Sequence, residues 1–534
     1  MGNISAIDYT IIFVYLVGIL FIGIWVVRKQ KMTSSSYFLA GRSLNWAMVG
    51  AALFASNIST IHMVGLASAG YSDGLVQGNF EWMAAFILIL LGLIFAPFYF
   101  NNGISTLPEF LEKRYDGRSR TLLAILALAG ALFMHIGISL YAGAVVFEKF
   151  FNINRWYSLF LIAGFTSVYT VLGGLKSVVV TETVQTVILI IGASLMTILA
   201  IMALPEHGVT NLQELKAALK PDQLSLIRSA ESSPKLPWYA ILLGYPVLGI
   251  WYWCADQTIV QRVLGAKTLR DAQVGPIFAG FIKILPVFIM VLPGILAYVL
   301  YNNVVNDPND ALPVLIINLL PVGLKGIMAA ALLAALMSTI AAALNSSATL
   351  VSVDIVKRTN PGVSDKKQVR VGRWTAVLVM IMAILWSPMI EKFTSIFDAI
   401  NEILARLSPP IACVFLLGVM WKRGTKEASA FTILFGFILG ILVFILDFTG
   451  ERIITHVWGI PYMLQSWWLF VICCVVFVVV SLFTPKPLPH QLDNLTLDRP
   501  MAFITKGKVS GIGDPRVLAG LLVLVMAVLY YVFK

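Results

Sequence analysis

Residues 46–71 form an apolar stretch long enough to cross a membrane, yet its middle reads Ala55-Ser56-Asn57-Ile58-Ser59-Thr60-Ile61-His62. A bilayer interior has no water to satisfy backbone groups. Spanning segments are therefore unbroken helix, and irregular backbone survives only where it lines a cavity or binds something. Transport proteins use such breaks near the bilayer midplane to present free carbonyls and amides to an ion and a solute. A membrane anchor has no use for one.

The rest of the chain supplies the membrane context. Of 534 residues, 59% are hydrophobic and 12% charged, and the mean hydropathy is +0.87. Long apolar runs recur throughout, which marks an all-α polytopic membrane protein. About fourteen spans are expected, near 7–27, 45–69, 80–100, 121–147, 156–172, 178–204, 237–257, 275–301, 321–353, 374–390, 393–421, 427–447, 465–484 and 515–533. Each approaches or exceeds the ~20 residues needed to cross ~30 Å of hydrocarbon. The net charge of +11 reflects topology rather than nucleic-acid binding, because 26 of the 38 Lys and Arg residues fall in one set of alternate loops. By the positive-inside rule that set is cytoplasmic and both termini lie outside. The first apolar run reads as a retained helix, not a signal peptide. Cys254, Cys413, Cys473 and Cys474 all sit in apolar segments with no metal-site spacing.

A second interrupted segment is expected at 237–257, which opens on Pro237 and carries Gly244, Pro246 and Gly249. Paired interrupted helices in corresponding positions of two halves point to an inverted-repeat core. The chain then divides into an N-terminal helix and loop (1–44), a first five-helix repeat (45–204), an extracellular loop (205–236), a second repeat (237–421) and three further helices (422–534).

Several polar residues carry chemistry in this frame. Ser338 and Thr339 follow Ala335 in the ninth span. Such hydroxyls ordinarily bond back to carbonyls on their own helix. Together with the broken turn at Ala55–Ile58 they also form an oxygen set suited to sodium. A charge inside a spanning helix costs at least ~2.5–3.5 kcal/mol, so it faces a cavity or a partner. Glu81 and Lys283 are such charges, and are placed either at one aqueous cavity or in a structural ion pair. His62 follows the break; His135, mid-span, reads as a packing residue. Asp398, Glu402 and Arg406 stand at i, i+4, i+8, which gives either a neutralised strip along one helix or a role in gating or solute contact. Trp251-Tyr252-Trp253 is either an interfacial belt or a stacking gate for a ring. Gly173-Gly174 makes a short loop. Nucleotide loops, zinc patterns and nucleophile motifs are not found, so no enzyme is indicated.

These residues resemble the sodium/solute symporter family, and within it the sodium–glucose cotransporter branch. The likeness runs from about residue 8 to 485. It rests on Tyr37-Phe38-Leu39-Ala40-Gly41-Arg42, Ala55-Ser56-Asn57-Ile58-Ser59, Phe80-Glu81-Trp82, Gly173-Gly174-Leu175, Trp251 through Gln257 and on to Arg262, Lys283, Leu292-Pro293-Gly294 and Asp354-Ile355. The resemblance implies a LeuT-type fold with one helix before a ten-helix core. It implies sodium as coupling ion, held by the carbonyls of Ala55, Ile58 and Ala335 and the hydroxyls of Ser338 and Thr339. It assigns the solute to Asn57, His62, Glu81, Lys283 and Asn401, and the inner gate to Tyr252 and Trp253. Glu182 stands where the family usually has an aspartate on the sodium path.

The departures also inform. Ala341 and Ala342 occupy positions where branches with a second sodium site carry hydroxyls, which favours one sodium per solute. Gly249, Asn401 and Ala84 replace a polar residue, a glutamine and a serine. The expected activity is therefore sodium-driven uptake of a sugar or sugar-like polyol, with inositol or an acidic sugar as alternatives and a sugar sensor or channel as the competing class. Branches carrying proline or iodide would not be expected to hold Glu81, His62 and Lys283 together. The partners are the solute, sodium and lipid. A bacterial inner membrane is the expected location.

Overall fold

The computed structural model of the protein describes residues 5–151, 153–388, 396–448, 452–497, 509 and 511–534. Among these, regular structure is helical except for an isolated bridge between Leu44 and Ala266. The elements that position the site are, in chain order, α1 (Ala6–Val27), α2 (Trp46–Asn57), α3 (Thr60–Asp73), α4 (Asn79–Leu90), α5 (Gly117–Ala129) and α6 (Arg155–Ala203). They continue as α7 (Trp238–Gly249), α8 (Gln257–Leu264), α9 (Leu269–Ile282), α10 (Leu324–Thr349), α11 (Asp365–Trp386), α12 (Ile396–Leu407), α13 (Pro409–Met420), α14 (Lys426–Phe448), α15 (Tyr462–Phe483) and α16 (Pro515–Val532).

Among the described residues, eleven helices are long and apolar enough to span a membrane, or twelve with α12 and α13, which meet at 46°. One of the eleven, Arg155–His207, bends at Gly174, where φ is +61°. Another, His62–Asn101, turns at Gly74, where φ is +76°. Dividing those two runs brings the described spans into rough agreement with the fourteen expected from hydropathy. At Gly174 a Cβ would lie 2.4 Å from the Tyr37 carbonyl oxygen, so glycine serves both the left-handed turn and the close approach.

The centre of the molecule is α10. It is so rich in Ala and Ser that neighbouring backbones approach closely, as membrane helix packing requires. Every residue from Met328 to Thr349 is buried. It packs on α6, α1 and α11. Asp8 at the start of α1 accepts from the amides of Gly323 and Gly326, each at 2.8 Å, and thereby supplies acceptors for otherwise orphaned donors where α10 begins.

The two interrupted segments differ from each other. α2 ends at Asn57. Ile58 (φ −78°, ψ 110°) and Ser59 (φ −106°, ψ 171°) are extended, and α3 starts at Thr60. The break falls where the polar run lies. The expected interruption at Gly244, Pro246 and Gly249 is displaced. α7 runs through Pro246 and continues as a wide, π-helical turn over Ile250–Ala255, and the chain leaves helical geometry only at Asp256 (φ −82°, ψ 122°). The reason is local. Asp256 Oδ1 accepts from the amide of Thr258 at 2.6 Å, capping α8 and stopping the helix before it. A further π-helical turn covers Gly130–Gly137.

Candidate functional site

The extended pair Ile58–Ser59 frees the carbonyls at the end of α2 from their helical bonds. α10 passes beside them. Ser338 Oγ donates within 2.7 Å of the Ala55 carbonyl oxygen and 2.9 Å of the Ala335 carbonyl. Thr339 Oγ1 lies 3.2 Å from both the Ser56 and Ala335 carbonyls. The ordinary back-bonding of helix hydroxyls and the bridge to the broken helix thus occur together. Ala55, Ala335, Ser338 and Thr339 converge on one buried spot, with Ile58 fully buried at the break. Sequence reasoning did not name the Ser56 carbonyl, which joins the same cluster. Hydroxyls and carbonyls suit a monovalent hard cation, for which oxygen ligands without full charge suffice. Among the described residues no group of three or more His, Cys, Asp or Glu side chains is placed to hold a metal ion.

Beside this cluster lies a cavity of about 120 Å³. Asn57, His62, Glu81, Lys283, Asn401, Tyr252 and Trp253 all line it. So does Thr339, which gives the cavity and the cation cluster a shared wall. Lys283 Nζ donates to Asn57 Oδ1 at 2.5 Å and to Glu81 Oε2, so the two charges form an ion pair and both line the cavity. Asn57 Nδ2 in turn donates to the Tyr252 hydroxyl at 3.1 Å. The Lys283 ammonium stands 5.6 Å from the Trp253 ring centroid, within cation–π range. His62 Nδ1 is 3.0 Å from Ser59 Oγ, which fixes its ring at the start of α3. The π-helical turns at 130–137 and 250–255 contribute Met134, His135, Tyr252 and Trp253 to this wall. Such turns recur at functional sites because they offset side chains from regular helical positions.

Three sites hold contacts beyond those expected. Glu182, expected on the sodium path, is held in a buried ion pair. Arg262 donates to both of its oxygens, at 2.5 Å (Nη2 to Oε1) and 3.3 Å (Nε to Oε2), and Ser56 Oγ donates to Oε1 at 3.0 Å. Arg262, beyond the end of the span expected at 237–257, lies in α8 and is fully buried. A charge so buried is tolerable only when paired.

Second, Glu402 and Arg406 are not a strip confined to one helix. Arg406 bonds Asp447 on α14 and donates to Gln465 on α15 at 3.0 Å, besides its 3.4 Å contact to Glu402. Glu402 also pairs with Arg452 at 3.2 Å. The side chain of Asp398 lies outside the described residues. Third, His135 is not simply a packing residue: its Nε2 is 3.0 Å from Asp256 Oδ2, and both residues border a cavity. A polar residue at the end of the Trp251–Cys254 run was the available signal for Asp256.

Known proteins place this geometry in context. The sequence pattern of the "Sodium:solute symporter family" matches residues 37–440. Sodium/glucose cotransporter 1 of Ovis aries is 33% identical over 529 residues, covering 91% of this chain and 79% of that protein. The sodium/myo-inositol cotransporter of Homo sapiens is 32% identical over 557 residues, covering 95% and 77%. Sodium/glucose cotransporter 4 of Mus musculus is 35% identical over 533 residues, covering 92% and 77%.

Among solved structures, a Na+-coupled sialic acid symporter in a substrate-bound outward-open state superposes with a TM-score of 0.78 at 21% identity, covering 91% of this chain and 100% of that one. The nucleobase-cation-symport-1 family transporter MHP1 gives 0.55 at 14%, covering 85% and 97%. These likenesses show the fold, the LeuT-type helical core, and the family match carries sodium-coupled solute symport rather than an enzymatic activity. The chain is an integral membrane protein that belongs to the sodium:solute symporter family.

Proposed function

We propose that this symporter couples one sodium ion to uptake of a neutral polyhydroxylated ring, a hexose or a cyclitol. The observation that carries the reading is the shared wall. Thr339 touches the carbonyl of Ser56 at the break and also lines the polar cavity. Sodium held by Ala55, Ile58, Ala335, Ser338 and Thr339 would fix α2 against α10 and shape the pocket of Asn57, His62, Glu81, Lys283 and Asn401. Coupling of this kind is a mutual gain in affinity.

The solute class follows from size and charge. A water-sized group needs roughly 10–15 Å³ of such volume, so the cavity of about 120 Å³ takes about ten of them. That is the scale of a small solute, nearer to a six-carbon ring with its hydroxyls than to a nine-carbon acidic sugar. Among the described residues the lysine of the wall is already neutralised by Glu81, so that ammonium is not left uncompensated for a carboxylate. Paired donors and acceptors such as Lys283, Glu81 and Asn57 match vicinal hydroxyls. Tyr252 and Trp253 close the inner face.

One sodium per solute accords with Ala341 and Ala342, both fully buried and without hydroxyls. One charge crossing 100 mV provides about 2.3 kcal/mol, and a tenfold sodium gradient about 1.4 kcal/mol. Together they sustain an accumulation of several hundredfold. The repeats are assigned to 45–204 and 237–421, around the helix 1–44, the loop 205–236 and the helices of 422–534. The Lys and Arg distribution supports termini on the outer side, and the short loops accord with a bacterial inner membrane.

The test is uptake into proteoliposomes of labelled glucose, galactose and myo-inositol. Accumulation is expected with an inward sodium gradient and lost when that gradient is collapsed. Uptake driven equally well by protons alone, or flux that neither saturates nor accumulates, overturns the reading.

A further inference from the structure

A second cavity, of about 310 Å³, adjoins the first and shares Met134 and Leu404 with it. Its wall is almost wholly apolar, with Leu126, Phe133, Trp251, Ile411 and Phe437. A polyol has no partners there. One charged side chain belongs to the lining. Asp256 brings a carboxylate that accepts from Thr258 N at 2.6 Å and stands 3.0 Å from His135 Nε2. A carboxylate has about four acceptor positions, so these two contacts leave capacity.

The geometry points to a ligand site here for a lipophilic aryl amine, with the ammonium on the Asp256 carboxylate and the aryl body against the apolar wall. An anion is repelled by Asp256. A neutral amphiphile fills the same space but gains no charge partner in surroundings where a charge-assisted bond counts for more than in water. The cavity is distinct from the solute pocket but mechanically tied to it. Asp256 ends the segment that carries Tyr252 and Trp253, and its partner His135 lines the solute pocket. An occupant therefore holds the inner segment still and slows turnover without displacing solute. This last consequence rests on the symporter reading; the binding does not.

The experiment uses the full chain in lipid nanodiscs, with empty nanodiscs as the partition control, and three probes of one skeleton: 3-phenoxypropylamine, 3-phenoxypropanol and 3-phenoxypropanoate. Binding is read by calorimetry, and inhibition by sodium-driven uptake. The amine is expected to bind at least tenfold more tightly than the alcohol, the acid not to bind, and the amine to lower the maximal uptake rate while leaving the solute KM unchanged. Asp256→Asn should erase the preference of amine over alcohol. Ala127→Phe, which fills the cavity from α5, should abolish binding of both and leave solute KM intact, and it decides the matter if Asp256→Asn does not fold. Equal binding of amine and alcohol to the unmodified protein, or undiminished amine binding by Ala127→Phe, overturns the site. Amine binding with no effect on uptake sustains the site and removes its coupling to transport.

Discussion

The hydroxyl of Ser338 donates to the carbonyl oxygen of Ala55 at 2.7 Å, across 283 residues of sequence, and so joins the end of a broken helix to the most buried of the spanning helices among the described residues. The bond matters because the carbonyl is available only through the extended conformation at Ile58 and Ser59. Regular helix through those residues would direct it along its own axis.

Removal of that hydroxyl should therefore act on sodium first. Ser338→Ala or Thr339→Ala is expected to raise the sodium concentration for half-maximal uptake roughly tenfold, in keeping with the ~1–3 kcal/mol of a lost buried polar contact. Sodium titration of uptake at saturating solute is the measurement. An unchanged sodium requirement in both variants would remove these hydroxyls from the ion site.

Glu81 and Lys283 should behave as a unit. Either residue alone, replaced by alanine, leaves a buried charge uncompensated, a cost of about 3–5 kcal/mol. Thermal unfolding in detergent should show a marked loss for Glu81→Ala and for Lys283→Ala. The double change Glu81→Leu with Lys283→Met should recover most of it. Solute binding should not recover, because the donors and acceptors of the cavity are gone. Glu81→Ala should impair solute binding more than sodium binding.

The Glu182–Arg262 pair yields a comparable prediction at the other side of the broken helix. Glu182→Gln leaves the Arg262 guanidinium with a neutral partner in a fully buried site, and a stability loss of about 3 kcal/mol or more is expected. Glu182→Asp keeps the charge but shortens the reach to Ser56, 3.0 Å away in the wild type. It should preserve stability better than it preserves sodium affinity. Paired unfolding and sodium-titration curves separate the two effects.

Arg406 anchors α12 to α14 and α15, and α12 also carries Asn401 of the cavity wall. Arg406→Ala is expected to lower thermal stability by an amount that is strongly non-additive with Asp447→Ala. A double-mutant cycle measures the coupling, which should exceed ~1 kcal/mol for residues in one buried network. Solute KM should rise in Arg406→Ala, because α12 loses its fixed position.

The break at Ile58 was legible in the sequence because a polar run inside an apolar span has few structural explanations. Glu81 and Lys283 were legible for a related reason: charges in membrane spans need partners, and only a few stand there. The partners of Glu182 and Arg406 were not. Arg262 sits next to basic loop residues and reads as a topology signal, while its burial arises only when α8 folds back against α2 and α10. Arg406 has Glu402 one turn away, a local pairing that concealed Asp447 from any reading by periodicity. The displaced interruption at Asp256 has a similar origin. Gly244, Pro246 and Gly249 look like helix breakers, yet a membrane helix accommodates proline through local adjustment, and the wide turn at Ile250–Ala255 leaves no trace in hydropathy.

The account rests on sodium at the 55–58 and 335–339 junction setting the affinity of the neighbouring cavity. The most direct test is equilibrium binding of the transported solute to purified protein, with sodium and with an equal concentration of choline, in wild type and Ser338→Ala. Sodium should tighten solute binding at least tenfold in the wild type, and Ser338→Ala should shift that enhancement to much higher sodium while leaving the choline value unchanged. Solute binding that is indifferent to sodium, or a sodium response that Ser338→Ala and Thr339→Ala both leave untouched, would contradict it.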